Sequence, residues 1–162
     1  MSMIGNFLAV SAAKLDELIQ NPDEMSALLD EISESAENNG DFLDVDKSWH
    51  GIHFLLTGST WEGEAPLKWV VLAPREVGED VGYGPARVLT PLEVAEVNDA
   101  LAALTSELLK EKYDWKLMNK SEIYPQSWRD GDADYILGNF VSLKQLYESA
   151  TRRRMGIIQW LN

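Results

Sequence analysis

The 162-residue chain predicts a mixed α/β fold of the α+β kind: a small mixed sheet that includes the N- and C-terminal strands, with helices packed on its faces. Three observations predict it. The chain opens on an apolar run, "MIGNFLAV", and closes on another, "IIQWL". Between them lie segments with helical periodicity and recognisable start signals. Hydrophobic residues make up 45% of the sequence, and a chain of this length buries about 70% of its unfolded surface, so a real core is available. No repeat, low-complexity tract or linker divides it, and residues 1–162 read as one domain.

The first apolar run is a strand closed by Ser11, which caps a helix whose Leu15, Leu18 and Ile19 share a face. In "NPDEMSALLDEI", Asn21 stands at a cap position, Pro22 at the first helical position and Glu24 at the capping-box position. Met25, Leu28, Leu29 and Ile32 form its inward stripe, and "ENNGD" ends it. "DVDKSWHGIHFLLTG" reads as a helix capped by Asp46, with Trp49, Ile52, His53 and Leu56 on one face and Gly58 as its stop. The middle is loop-rich: "STWEGEAP" is turn, "LKWVVLA" a compact strand or short helix, and "PREVGEDVGYGP" irregular.

A short extended piece ending at Thr90 then leads into a helix with Pro91 first and Glu93 as capping-box partner. Leu92, Val94, Ala95, Val97, Leu101 and Leu104 carry this helix inward. "TSELLKEKYDWKLMNKSEIYP" gives one or two further helical turns that run into an extended Ile123-Tyr124-Pro125. The longest helical signal carries Tyr135, Ile136, Phe140, Leu143, Leu146 and Tyr147, with Arg152 to Arg154 in its last turn and Gly156 stopping it.

Composition removes several function classes. Fourteen Lys and Arg against 27 Asp and Glu give a net charge of −13, a field that repels nucleic acid and anionic membrane surfaces and suits a basic protein partner. With no cysteine there is no disulfide framework, thiolate nucleophile or Cys-type metal site. The N-terminus lacks a signal-peptide pattern and no apolar stretch is long enough to span a membrane, so a soluble, cytoplasmic protein is expected.

Both histidines fall in "DVDKSWHGIHFLLTG", three residues apart. A metal pair there needs a third ligand from Asp44, Asp46 or Glu62, and the spacing matches no zinc motif, so neither metal nor cofactor is expected. A catalytic reading makes His53 a general base oriented by Asp44 or Asp46, with Lys47 or Tyr83 stabilising an anion. The structural reading, which is preferred, makes His53 a core imidazole bonded to a backbone carbonyl, His50 partly exposed, and Asp46 a helix cap. "VGYGPAR" has Arg87 where a dinucleotide fingerprint needs its third glycine, which leaves a glycine turn whose Tyr83 and Arg87 can line a pocket for a carboxylate or other anion. "DGDAD" lacks the glycine and glutamate of a calcium loop.

Five segments, "MSMIGNFLAV", "LDVDKSWHGIHFLLTG", "GYGPARVLTPLEVAEV", "EIYP" and "NFVSLKQLYESATRRRMGIIQWL", together resemble the YfbM-like family of bacterial proteins, a domain family of unknown function. The most specific parts are Asp46 to Trp49 with His53, and Gly82 to Arg87. The resemblance implies a compact α/β domain with helices on a sheet and brings no catalytic residues with it. The expectation is therefore a non-enzymatic binding or protein-interaction domain. The rival is a small hydrolase-like or ligand-binding enzyme with a pocket near Trp49, His53, Tyr83 and Arg87, supplemented by Asp46 and Lys47.

Overall fold

The computed structural model describes residues 1–35 and 40–162. Five strands form one open sheet in the order β2-β1-β5-β4-β3, where β1 is Gly5–Val10, β2 Phe42–Asp44, β3 Arg75–Asp80, β4 Pro85–Leu89 and β5 Gly156–Leu161. The α+β class is as expected. The strand directions are not mixed: every pairing among the described residues is antiparallel, including β1–β2 and β4–β5, whose connections run through helices. The terminal strands β1 and β5 pair over six residues at the centre, which is why both read as unbroken apolar runs.

Side chains alternate between two cores. Leu8, Val10, Ala86, Val88, Ile158 and Trp160 face helices α1 (Ala12–Gln20) and α2 (Glu24–Glu34) through Leu15, Leu18, Met25 and Leu29. The opposite face presents Phe7, Ala9, Leu89 and Ile157 to α3 (Trp49–Thr57), α4 (Pro91–Ala102) and α7 (Ala133–Arg152). The short α5 (Ser106–Glu111) and α6 (Trp115–Lys120) complete this larger layer. Among the described residues no helix is long and apolar enough to cross a membrane.

Local chemistry explains most boundaries. Ser11 accepts the Lys14 N–H and starts α1, and Thr90 and Glu93 make the reciprocal bonds of a capping box at α4. Asn21 does not cap α2. It closes α1 by donating to the Glu17 carbonyl, and α2 begins after a turn in which Glu24 N–H bonds the Asn21 carbonyl. The expected stop at "ENNGD" lies partly outside the described residues, since Glu37, Asn38 and Asn39 are not among them; α2 ends at Glu34.

Other expectations need correction. Asp46 is no N-cap: it has φ +51° and opens a 3-10 turn (Asp46–Ser48), its N–H bonded to Asp44 Oδ1 at 2.6 Å and its carboxylate turned to the Tyr135 hydroxyl. Leu92 is 72% exposed on the first turn of α4, whose inward face is Val94, Val97 and Leu101. "LKWVVLA" takes the short-helix alternative, as a 3-10 helix over Leu67–Val70, whereas "PREVGEDVGYGP" is not irregular throughout but holds β3 and the hairpin turn to β4. Ile123-Tyr124-Pro125 is a turn containing a cis Tyr124–Pro125 bond and closed by Gln126 N–H to the Ile123 carbonyl, so it is not extended. At the end of α7 the left-handed residue is Arg154, and Gly156 opens β5 instead of stopping the helix.

Candidate functional site

Three segments converge on the α3 side of the sheet at the end where β5 finishes. The first is α3 itself. A Cβ on Gly5 would lie 2.7 Å from the Trp49 Cβ, so only glycine in β1 lets the indole lie directly on the strand. Trp49 is fully buried and donates its indole N–H to the Met3 carbonyl at 3.0 Å.

The second segment, residues 66–73, crosses the sheet as a strap. Gln159 of β5 holds it. Its Oε1 accepts the Ala73 N–H at 2.8 Å, and its amide nitrogen lies 2.8 Å from the Trp69 carbonyl, 3.0 Å from the Val70 carbonyl and 3.0 Å from the Tyr147 hydroxyl. Arg87, beside Gln159 in the β4–β5 register, adds a bond from its guanidinium to the Ala73 carbonyl at 3.0 Å and pairs with Glu76 across the hairpin at 2.6 Å. The strap therefore depends on two polar side chains in otherwise apolar strands.

The third is the β3–β4 turn. Asp80 Oδ1 accepts the N–H groups of Gly82 and Gly84, at 2.7 and 3.2 Å, and both glycines have positive φ. A Cβ on Gly82 would stand 2.9 Å from the Leu161 carbonyl, the same carbonyl that accepts the Tyr83 N–H at 3.2 Å. The turn is thus seated on the end of β5, with the Tyr83 ring beside the strap.

Between these segments opens a groove of about 680 Å³, with Trp49 in its lining and Trp61, Lys68, Leu72, Tyr83 and Arg87 around it. A narrower recess shares Trp49, Leu72, Tyr83 and Arg87 and reaches Gln159. Trp61 is 51% and Tyr83 39% exposed. Lys68 meets Glu62 at 3.4 Å in a solvent-facing pair, and Asp80 is the acidic residue of the lining.

The candidates from the sequence divide at this point. Trp49, Tyr83 and Arg87 meet in the groove, while Asp46, Lys47 and His53 lie outside its lining. The Asp46 carboxylate accepts the Tyr135 hydroxyl at 2.6 Å, and the same hydroxyl accepts the Lys47 N–H at 3.1 Å, tying the turn before α3 to α7. Desolvation and the Asp46 carboxylate push the Tyr135 phenol well above its ordinary range. Lys47 makes no ion pair among the described residues.

Both imidazoles are buried, His53 as expected and His50 against the expectation that it is partly exposed. His50 is the one bonded to backbone: it is 1% exposed, its Nδ1 accepts the Tyr124 N–H at 2.9 Å, and its Nε2 therefore donates to the Thr60 carbonyl at 2.8 Å. It stacks on Trp49, with centroids 4.8 Å apart, and lies 4.4 Å from the Trp61 ring. With both nitrogens committed, His50 has no lone pair for a metal. His53 is 0% exposed; Nε2 is 3.4 Å from Thr57 Oγ1, and Nδ1 has no hydrogen-bond partner among the described residues. Burial first, then the neighbouring His50, lower the His53 pKa to about 4, against a partial upward pull from the Glu62 backbone; burial likewise lowers that of His50. Neither carboxylate proposed to orient His53 bonds to it: Asp44 Oδ1 accepts the Asp46 N–H, and Asp46 accepts Tyr135.

Trp61, Lys68 and Gln159 were not singled out from the sequence. Trp61 sits in the polar, turn-rich "STWEGEAP", where a lone tryptophan with no apolar neighbours is itself a sign of surface function. Gln159 in "IIQWL" is a polar residue within a buried strand, the usual mark of a polar network.

A domain family described as Domain of unknown function (DUF1877) matches residues 1–160. Protein YfbM of Escherichia coli (strain K12) is 31% identical over 128 residues, which is 77% of this chain and 74% of that protein. The crystal structure of YfbM from Escherichia coli, described as a protein of unknown function, superposes with a TM-score of 0.73 at 24% identity, covering 99% of this chain and 100% of that one, so the two share their fold. With the family matched almost end to end, the chain belongs to the DUF1877, or YfbM-like, family.

Proposed function

We propose that this protein is a non-enzymatic binding domain whose ligand surface is the groove between Trp61, the strap and the Tyr83 turn. One observation carries this reading: two partly exposed aromatic rings, Trp61 and Tyr83, border a concavity of ligand size that also holds cationic groups. Exposed aromatic area of this kind is favourable to cover, and the surrounding hydrogen bonds from Gln159, Arg87 and Asp80 fix the groove before any ligand arrives. The hydrolase-like alternative is less favoured, because the His53 that would be its base is fully buried and lies outside the groove lining.

The test is a screen of small uncharged aromatic fragments by two-dimensional NMR. Shifts should cluster at Trp61, Leu72 and Tyr83, and Trp61→Ala should abolish them. Fragments that bind only elsewhere would refute the groove. Turnover of ester or phosphoester substrates that disappears in His53→Gln would instead establish the enzyme.

A further inference from the structure

Resting on the reading of this groove as the ligand surface, we propose that it selects small molecules with a flat aromatic body and a single anionic group, a carboxylate or a phosphate. Trp61 and Tyr83 supply the faces for the body. The anion is recognised by Lys68 and Arg87, two of only 14 cationic residues in a chain of net charge −13.

These two cations differ in a useful way. The partner of Lys68, Glu62, has a side chain 84% exposed, so their 3.4 Å pair is a weak surface contact. An entering anion takes over Lys68 while Glu62 returns to water, and no buried charge is stranded. Arg87 is held in place by the Ala73 carbonyl and Glu76, which orients its remaining N–H groups without a further entropic cost. An ammonium ligand would meet both cations at close range.

Asp80 limits how much negative charge the groove accepts. Its Oδ1 is already committed to the N–H groups of Gly82 and Gly84, yet its charge remains in the lining. Together with the acidic surface, it favours one anionic group over a polyanion. The volume of about 680 Å³ suits a ligand of a few rings.

The experiment uses the full chain and four probes: 2-naphthylacetate, 2-naphthyl phosphate, the neutral 2-naphthylacetamide and the cationic 2-(2-naphthyl)ethylammonium. Affinities are measured by calorimetry, and sites are assigned from the Trp61 indole and Tyr83 resonances. The better of the two acids should bind at least about tenfold more tightly than the amide, the factor expected of one charge-assisted hydrogen bond, and the ratio between the acids identifies the head group. Lys68→Gln, at a half-buried position of the groove, should lower the affinity of the acids by more than that of the amide and so remove most of that preference. Equal binding of acids and amide, or tightest binding of the ammonium, overturns anion selection but leaves the groove as a ligand surface. If none of the four moves the Trp61 or Tyr83 resonances at millimolar concentration, both readings fall.

Discussion

Replacing Gln159 by leucine removes the side chain that ties the strap to the sheet, and its cost can be worked from the hydrogen bonds it leaves open. The Ala73 N–H, buried and bonded at 2.8 Å to Gln159 Oε1, is left with no acceptor. The Trp69 carbonyl keeps only a long 3.4 Å contact to the Tyr147 hydroxyl, whereas the Val70 carbonyl keeps that hydroxyl at 2.8 Å. One orphaned donor and one nearly orphaned acceptor, at about 1–3 kcal/mol each, put the loss at roughly 3–4 kcal/mol. Leucine cannot recover this by apolar packing, because the stranded partners are backbone groups that no substitution removes. For a chain of this size the loss lowers Tm by about 6–16 °C, read by circular dichroism with urea unfolding as the independent measure. Hydrogen exchange should accelerate first at residues 67–73. Tyr147→Phe, which leaves Gln159 on both carbonyls, should cost only about 1 kcal/mol, and the double variant should fall short of the sum because the two side chains share one network. A Gln159→Leu protein within 1 kcal/mol of the parent would refute the strap argument.

Acid should expose the histidine pair. Both imidazoles have folded-state pKa values below that of the unfolded chain, so their contribution is fully present above about pH 6.5 and is lost progressively as pH falls toward about 4. Stability therefore rises with pH across that window, and His53→Phe should flatten this slope in urea midpoints measured between pH 5 and 7.5. Tyr135→Phe should cost about 1–2 kcal/mol by removing a bond to a carboxylate; at Asp46, where φ is +51°, glycine should be better tolerated than alanine in the same unfolding assay. Gly5→Ala forces a methyl against the Trp49 Cβ and should cost about 1–3 kcal/mol, accompanied by a shifted Trp49 indole resonance; an unchanged spectrum would mean that α3 can slide off β1 freely.

The parts of the fold that were legible are those decided by neighbours in sequence. Ser11, the Thr90–Glu93 box and the Gly58 stop act within one helical turn, so spacing alone reveals them. The central strands β1 and β5 are buried on both faces and announce themselves as apolar runs. Strand β3 has no such signal. Only Val77 in it is buried, and what makes it a strand is its pairing with β4 and the Glu76–Arg87 contact across the hairpin. Asp46 misleads for a related reason: its residue type fits a cap, but a phenol 89 residues away takes the carboxylate that would have done the capping.

The same division runs through the site. Tyr83 and Arg87 could be picked out because an aromatic and a cation lie within five residues of a glycine turn. Lys68 and Trp61 could not, since their relevance comes from the strap, and the strap's course is set by Gln159 some ninety residues later. The histidines show the converse. Titratable side chains close together in sequence invite a catalytic reading, yet chemistry requires a lone pair that reaches substrate. His50 spends both nitrogens on backbone groups, and His53 is enclosed. The neutral imidazole suits this use because it alone among side chains offers a donor and an acceptor on opposite edges of a flat ring. It can bridge the Thr60 carbonyl and the Tyr124 N–H while stacking on Trp49 and meeting the Trp61 ring at a tilt. In doing so it holds the loop that carries Trp61, so the imidazole serves the groove from behind without lining it.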